Sequence, residues 1–122
     1  MATGAELEGA RMLVHELPAA ANIVDYALRI SRATRPDDPT APAPVKEWVR
    51  WGAGPRAGQA LILGAKAAAL MDGRAVPSLE DVRSIALPVL RHWVLLNFQA
   101  EADGIDPDQV IAKLLDAVTP SP

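Results

Sequence analysis

Arg56 has the setting best suited to chemistry in this chain. It stands in Gly52-Ala53-Gly54-Pro55-Arg56, where a glycine turn runs straight into a long apolar segment that ends near Asp72. Gly52 and Gly54 permit backbone conformations and close approaches that a Cβ forbids, and Pro55 has the fixed φ suited to a first helical position. Arg56 then falls in the first helical turn. A cation there is disfavoured by about 0.3–1 kcal/mol, because the unpaired N–H groups of a helix start already carry partial positive charge. The cost disappears when an anion lies between them, since helix N-terminus and guanidinium then bind one phosphate or carboxylate. The bland alternative is a solvated or locally paired surface arginine.

Beyond Arg56, residues Ala57, Ala60, Leu61, Ile62, Leu63, Ala65, Ala67, Ala68, Leu70 and Met71 leave almost no solvated face at helical periodicity, which predicts a buried helix. The exceptions, Arg56, Gln59 and Lys66, fall within roughly 80° of one another on a helical wheel and make one polar stripe. Other chemistry is scarce. His15 and His92 are far apart and lack partners at metal-ligand spacing, so each reads as an ordinary surface or core residue. The carboxylates of Glu101, Asp103, Asp106 and Asp108 lack the order of a calcium loop and read as a solvated turn with helix caps. No GxxxxGK[ST] loop, no apolar strand ending in Asp-Glu and no nucleophile elbow occurs, so this chain is expected to hydrolyse no nucleotide alone.

Helices must position these residues. The 122 residues suit one domain, and a composition 50% hydrophobic but only 4% aromatic predicts a core of Ala, Leu, Val and Ile in closely packed helices. A net charge of −3 argues against a general nucleic-acid surface, and the absence of cysteine excludes disulfides. The apolar run at 60–71 is interrupted by Lys66 and too short to span a bilayer, so a soluble, cytoplasmic protein is expected.

Residues 1–4 read as an unstructured start. Leu7, Ala10, Val14 and Leu17 mark a first amphipathic helix, and Ile23, Tyr26, Ala27 and Ile30 a second, whose opposite face carries an Asp25–Arg29 pair at i,i+4. Pro36 stops the second helix after Ala33-Thr34-Arg35. Residues 36–44, with four prolines and two aspartates, predict an extended polyproline spacer able to cross roughly 28 Å. Val45–Trp51 fits both helical spacing and alternation, and its Trp48 and Trp51 suit either packing or partner binding. Gly73 reads as a C-cap, Ser78 with Asp81 as a capping box, and Val76 as a short extended contact. Pro88 breaks or restarts a helix whose apolar face continues to about Asn97. Asp106, Pro107 and Gln109 open a last helix over Val110, Ile111, Leu114 and Leu115. The sum is an all-α protein, a small bundle of about five helices with a short extended pair near Val49 and Val76.

The run GAGPRAGQALILGAKAAALMDGRAVPSLEDV, followed by ALPVLRH, resembles the C-terminal helical lid of MoxR-family AAA+ ATPases, in which a Gly-Ala-Ser-Pro-Arg-Ala signature opens a helix. Tyr26 to Arg35 and the downstream EADGIDPDQVI resemble the same family, so the likeness covers about residues 7–118 and is most specific around Arg56. Gly54 stands where the family often has Ser, and Trp93 where it commonly has Arg. The resemblance implies a single AAA+ lid-like domain over 1–122, with the ATPase core outside this chain. It implies that Arg56 is the sensor 2 residue that reaches the phosphates of ATP, with Gly52, Gly54, Pro55, Gln59 and Lys66 supporting. ATP, with Mg in the core, is then the cofactor of the parent protein and is not bound by this fragment alone. The implied partners are its own core, neighbouring subunits of a hexameric ring and proteins with von Willebrand factor A domains, in chaperone-like remodelling or maturation. No nucleic acid or membrane is implied. The rival reading is a free-standing helical interaction module using Trp48, Trp51 and the proline-rich loop; a small-molecule enzyme is a third.

Overall fold

A computed structural model describes residues 20–119. The expected first helix, at Leu7 to Leu17, and His15 lie outside the described residues. Within them the chain runs α1 (Ala21–Ala33), α2 (Ala43–Trp48), β1 (Val49–Trp51), α3 (Pro55–Met71), α4 (Leu79–Leu90), β2 (Leu95–Leu96), α5 (Phe98–Ala102) and α6 (Pro107–Ala117). The all-α expectation holds: a small helical bundle with one short antiparallel pair.

Periodicity fixes which faces turn inward. Ile23, Tyr26, Ala27 and Ile30 of α1 are buried together, and Asp25 pairs with Arg29 at 2.9 Å on the outer side. α3 buries the stripe Ala57, Gly58, Leu61, Ala65 and Ala69 between α1 and α4. Small residues let those helices come close: a Cβ on Gly64 would lie 3.1 Å from Ile85 Cδ1. α3 is not buried all round as its composition predicted. Ile62, Leu63 and Leu70 are half-buried and Met71 is exposed, because α1 and α4 cover only part of its circumference. α6 adds Val110, Ile111, Leu114 and Leu115 to the same core, against α2 and α4.

The helix ends follow local chemistry. Ser78 with Asp81 and Asp106 with Gln109 form complete capping boxes. Gly73 at φ 75° closes α3 by a Schellman motif, with the Arg74 N–H on the Ala69 carbonyl at 2.8 Å and the Gly73 N–H on Leu70 at 3.0 Å. Gly104, at φ 69°, closes α5 in the same way, the Ile105 N–H reaching the Ala100 carbonyl at 2.9 Å.

Four expectations are corrected. The partner of Val49 in the extended pair is Leu96, with Trp51 opposite Leu95, whereas Val76 sits in an exposed bend. α4 accommodates Pro88 in its last turn and stops at Leu90, so residues 95–96 form β2 in place of a continued helix. The acidic stretch after Asn97 is not all turn, because Asn97 Oδ1 accepts from the Ala100 N–H and starts α5. Residues 36–40 fold into successive turns, not an extended spacer. The Asp38 N–H donates to Arg35, the Ala41 N–H to Asp38, and Thr40 donates to the Asp38 carboxylate from both its N–H and its hydroxyl. Those bonds from Thr40 hold the Asp38 carboxyl below its usual range. The undecided stretch 45–51 adopts both candidate forms in succession, helix to Trp48 and strand from Val49.

One ion pair ties the end of α3 to the start of α4. Arg74 makes a bidentate contact to Asp81, with both bonds at 2.7 Å, while Asp81 also accepts the Ser78 N–H. Asp81 is 8% exposed, and the guanidinium bonds hold its carboxyl well below the ordinary value of 3.8. A carboxyl with a depressed folded-state pKa contributes stability that is complete above its unfolded value and disappears as pH falls below it. Arg74→Ala is therefore expected to destabilise the chain at neutral pH and to weaken the loss of stability on acidification below about pH 3.8. Urea unfolding at pH 7 and pH 3 checks this; a variant with the acid response of the wild type contradicts it.

Candidate functional site

Arg56 lies on the exposed side of the first turn of α3. Pro55 occupies the expected first helical position, and Gly54 is the N-cap, with no side-chain capping hydrogen bond to the leading N–H groups. No hydrogen bond or ion pair joins the Arg56 side chain to another described residue, whereas the guanidiniums of Arg74, Arg83 and Arg91 all contact carboxylates. An arginine at a helix N-terminus with no carboxylate partner among the described residues is available to an external anion.

The turn that carries Arg56 is held from outside. The Ala53 N–H donates to the Thr34 hydroxyl at 2.8 Å, and that hydroxyl donates to the Ser31 carbonyl at 2.6 Å. Arg35 Nε donates to the Ala53 carbonyl at 2.9 Å, and the Ser31 hydroxyl to the Gly54 carbonyl at 3.3 Å. Thr34 is fully buried and is the C-cap of α1, so the end of α1 grips the approach to α3. Loss of a buried bond of this kind costs about 1–3 kcal/mol when it leaves the partner unsatisfied. On its other side the turn is continuous with β1, and the pairing of β1 with β2 fixes the incoming strand.

The two turn glycines differ. A Cβ on Gly52 would lie 2.3 Å from the Thr34 carbonyl oxygen and 2.7 Å from Arg35 Cα, so the close approach expected there is real. Gly54 has φ −86° and open space where a Cβ would point, so neither conformation nor crowding requires glycine there. That half of the expectation is corrected. Gln59 is exposed about one turn along α3 from Arg56, and Lys66 is half-buried about 15 Å from Arg56 along the axis at 1.5 Å per residue. Lys66 therefore does not share a phosphate-sized site with Arg56.

Sequence reasoning does not single out Ser31, Thr34 and Arg35 as part of the site. The tripeptide Ala33-Thr34-Arg35 marks a helix end, and nothing in its spacing announces a contact 19 residues along the chain. The remaining candidates are used within the fold. Trp48 donates from Nε1 to Asp103 at 2.9 Å and lies beneath Lys113, 5.4 Å from the ring centroid, whereas Trp51 is 63% exposed. Asp103 also accepts from Gln99, Asp106 caps α6 and Asp108 pairs with Arg91. These bonds, Gln99 first and Trp48 second, keep the Asp103 carboxyl below its usual range. Among the described residues no group of three or more His, Asp or Glu is placed to hold a metal ion, and no helix is long and apolar enough to cross a membrane.

Residues 42–114 match the family model of the AAA lid domain. The chain belongs to the AAA lid domain family. It is 40% identical over 96 residues to Chaperone MoxR1 of Mycobacterium tuberculosis (strain ATCC 25618 / H37Rv), a match covering 79% of this chain and 26% of that protein. A crystal structure from Cytophaga hutchinsonii ATCC 33406 superposes with a TM-score of 0.83 at 27% identity, covering 91% of this chain and 34% of that one. These relations identify a MoxR-type AAA lid. The lid spans about a quarter of the one relative and a third of the other.

Gly52→Ala is expected to lower stability by about 1–3 kcal/mol, because backbone atoms must move to admit the methyl group. Gly54→Ser is expected to be accepted, with a gain of roughly 0.3 kcal/mol from N-capping. Urea midpoints check both; equal effects of the two substitutions would contradict the asymmetry of the turn.

Proposed function

We propose that residues 1–122 form one lid domain of a MoxR-like AAA+ ATPase and that Arg56 is its sensor 2 residue, reading the terminal phosphate of ATP held by a catalytic core outside this chain. The observation that carries this reading is the setting of Arg56: exposed, without a carboxylate partner among the described residues, and mounted at an uncapped helix start on a turn held by α1. The match to the AAA lid family and the 40% identity to a protein named a chaperone support it.

A guanidinium and a helix N-terminus converging on a terminal phosphate make charge-assisted bonds that change when hydrolysis removes that phosphate. The lid then loses one of its attachments to the core and shifts as a rigid body, a hinge transition driven by a local electrostatic change. Gln59, one turn along the same face, borders that interface; Lys66 lies too far along for the same phosphate. Mg²⁺ would be held with ATP by the core. In the ring expected of this family, a hexamer, such shifts pass to neighbouring subunits and drive remodelling or maturation of partner proteins, of which von Willebrand factor A domain proteins are the class implied by the resemblance. A cytoplasmic setting suits this role. The rival interaction module has Trp51 in its favour, since Trp51 and its cross-strand neighbour Leu95 are both exposed. Trp48 speaks against it, being engaged within the domain.

In the full-length protein, Arg56→Ala is expected to reduce ATP turnover by roughly 100-fold or more and to change folding stability by less than about 0.5 kcal/mol, as for a surface substitution. Wild-type turnover in that variant removes the sensor assignment. This chain alone is expected to bind ATP weakly, since most phosphate ligands would lie in the core; submicromolar affinity by calorimetry would contradict the division of labour.

A further inference from the structure

The turn before α3 has few means of holding its own shape. Gly54 supplies no capping side chain, Pro55 supplies no N–H, and Gly52 contributes only the room for α1 to approach. We infer that Thr34 is a positioning residue for Arg56, its hydroxyl fixing the direction in which the start of α3 presents the guanidinium. The inference rests on the sensor reading above and names the residue through which the fold sets that sensor.

Thr34 suits this task for three reasons. Its hydroxyl is committed in both directions, donating to the Ser31 carbonyl at 2.6 Å and accepting the Ala53 N–H at 2.8 Å, so it cannot rotate freely. It is fully buried, so water does not compete for either bond. The N–H it holds lies three residues before Arg56, at the junction between the strand and the helix. The other two contacts are less enclosed: Arg35 to the Ala53 carbonyl and Ser31 to the Gly54 carbonyl are only part-buried, and the Ser31 bond is 3.3 Å long. Release of the Ala53 N–H therefore lets the helix start pivot, carrying the guanidinium away from the phosphate it must meet. A displacement of about 1 Å at a reacting centre is enough to cost on the order of 100-fold in rate.

The test is steady-state ATP hydrolysis by the full-length protein. Thr34→Val keeps the shape and removes both bonds, and is expected to lower kcat by about 10- to 100-fold with KM for ATP changed by less than about threefold. Thr34→Ser keeps the hydroxyl and is expected to restore kcat to within about threefold of wild type. Because Thr34 acts through Arg56, the Thr34→Val/Arg56→Ala double variant is expected to be no slower than Arg56→Ala alone. A merely structural role would instead slow the double variant by a further factor equal to that of Thr34→Val by itself, and that outcome overturns the inference. Wild-type kcat in Thr34→Val, alongside loss of turnover in Arg56→Ala, overturns it while leaving the sensor reading intact. Wild-type turnover in Arg56→Ala removes both. Should Thr34→Val fail to fold, Thr34→Cys replaces it: the thiol is a weak donor and acceptor, so kcat is expected to fall by roughly five- to tenfold, and wild-type kcat there overturns the inference equally.

Discussion

The three residues between β1 and α3 have no hydrogen bonds among themselves, so their shape is imposed by the end of α1. Thr34, Arg35 and Ser31 take one N–H and two carbonyls of that turn, and Gly52 lets the two backbones meet at a separation no other residue tolerates. This grip converts a short glycine connection into a rigid mount for α3, whose buried stripe from Ala57 to Ala69 then locks against α1 and α4. Without it the helix would still form, by its alanine and leucine content, and Ala57 would still pack inward, but the residues that lead into its first turn would lose the bonds that fix their direction. The outward direction of Arg56 is thus a tertiary property, set by residues more than 20 positions earlier in the chain.

Two arginines at opposite ends of α3 show how the same side chain serves different purposes. Arg74, beyond the C-terminus, is tied by two bonds to Asp81 and closes the loop into α4. Its charge is committed to the fold. Arg56, at the N-terminus, has no such partner among the described residues and sits where the helix dipole opposes it. A fold that places a cation there without a carboxylate retains a small unfavourable term, which an anion supplied by another domain would remove.

Much of this was legible in the sequence because the signals were local. The buried face of α1 follows from Ile23, Tyr26, Ala27 and Ile30; both capping boxes follow from residue types three positions apart; Gly73 follows from the need for positive φ at a Schellman closure. What was not legible depended on partners far along the chain. Leu95–Leu96 read as more helix because their strand form exists only through pairing with Val49 and Trp51. Residues 36–40 read as extended because prolines dominate the segment, while the turns they adopt are held by Asp38 and Thr40. Position 54 looked as constrained as position 52 because glycine in a sequence does not say whether its missing Cβ matters. Thr34 is silent for the same reason: a threonine at a helix end carries no mark of the amide it will meet 19 residues later.

The most direct measurement is a structure of the full-length protein with a non-hydrolysable ATP analogue. The account places an Arg56 guanidinium nitrogen within about 3 Å of a terminal-phosphate oxygen, as a charge-assisted hydrogen bond requires, with the Ala53 N–H still on the Thr34 hydroxyl. A nucleotide bound with Arg56 turned away from it, paired to a protein carboxylate or lying free in solvent, would contradict the account.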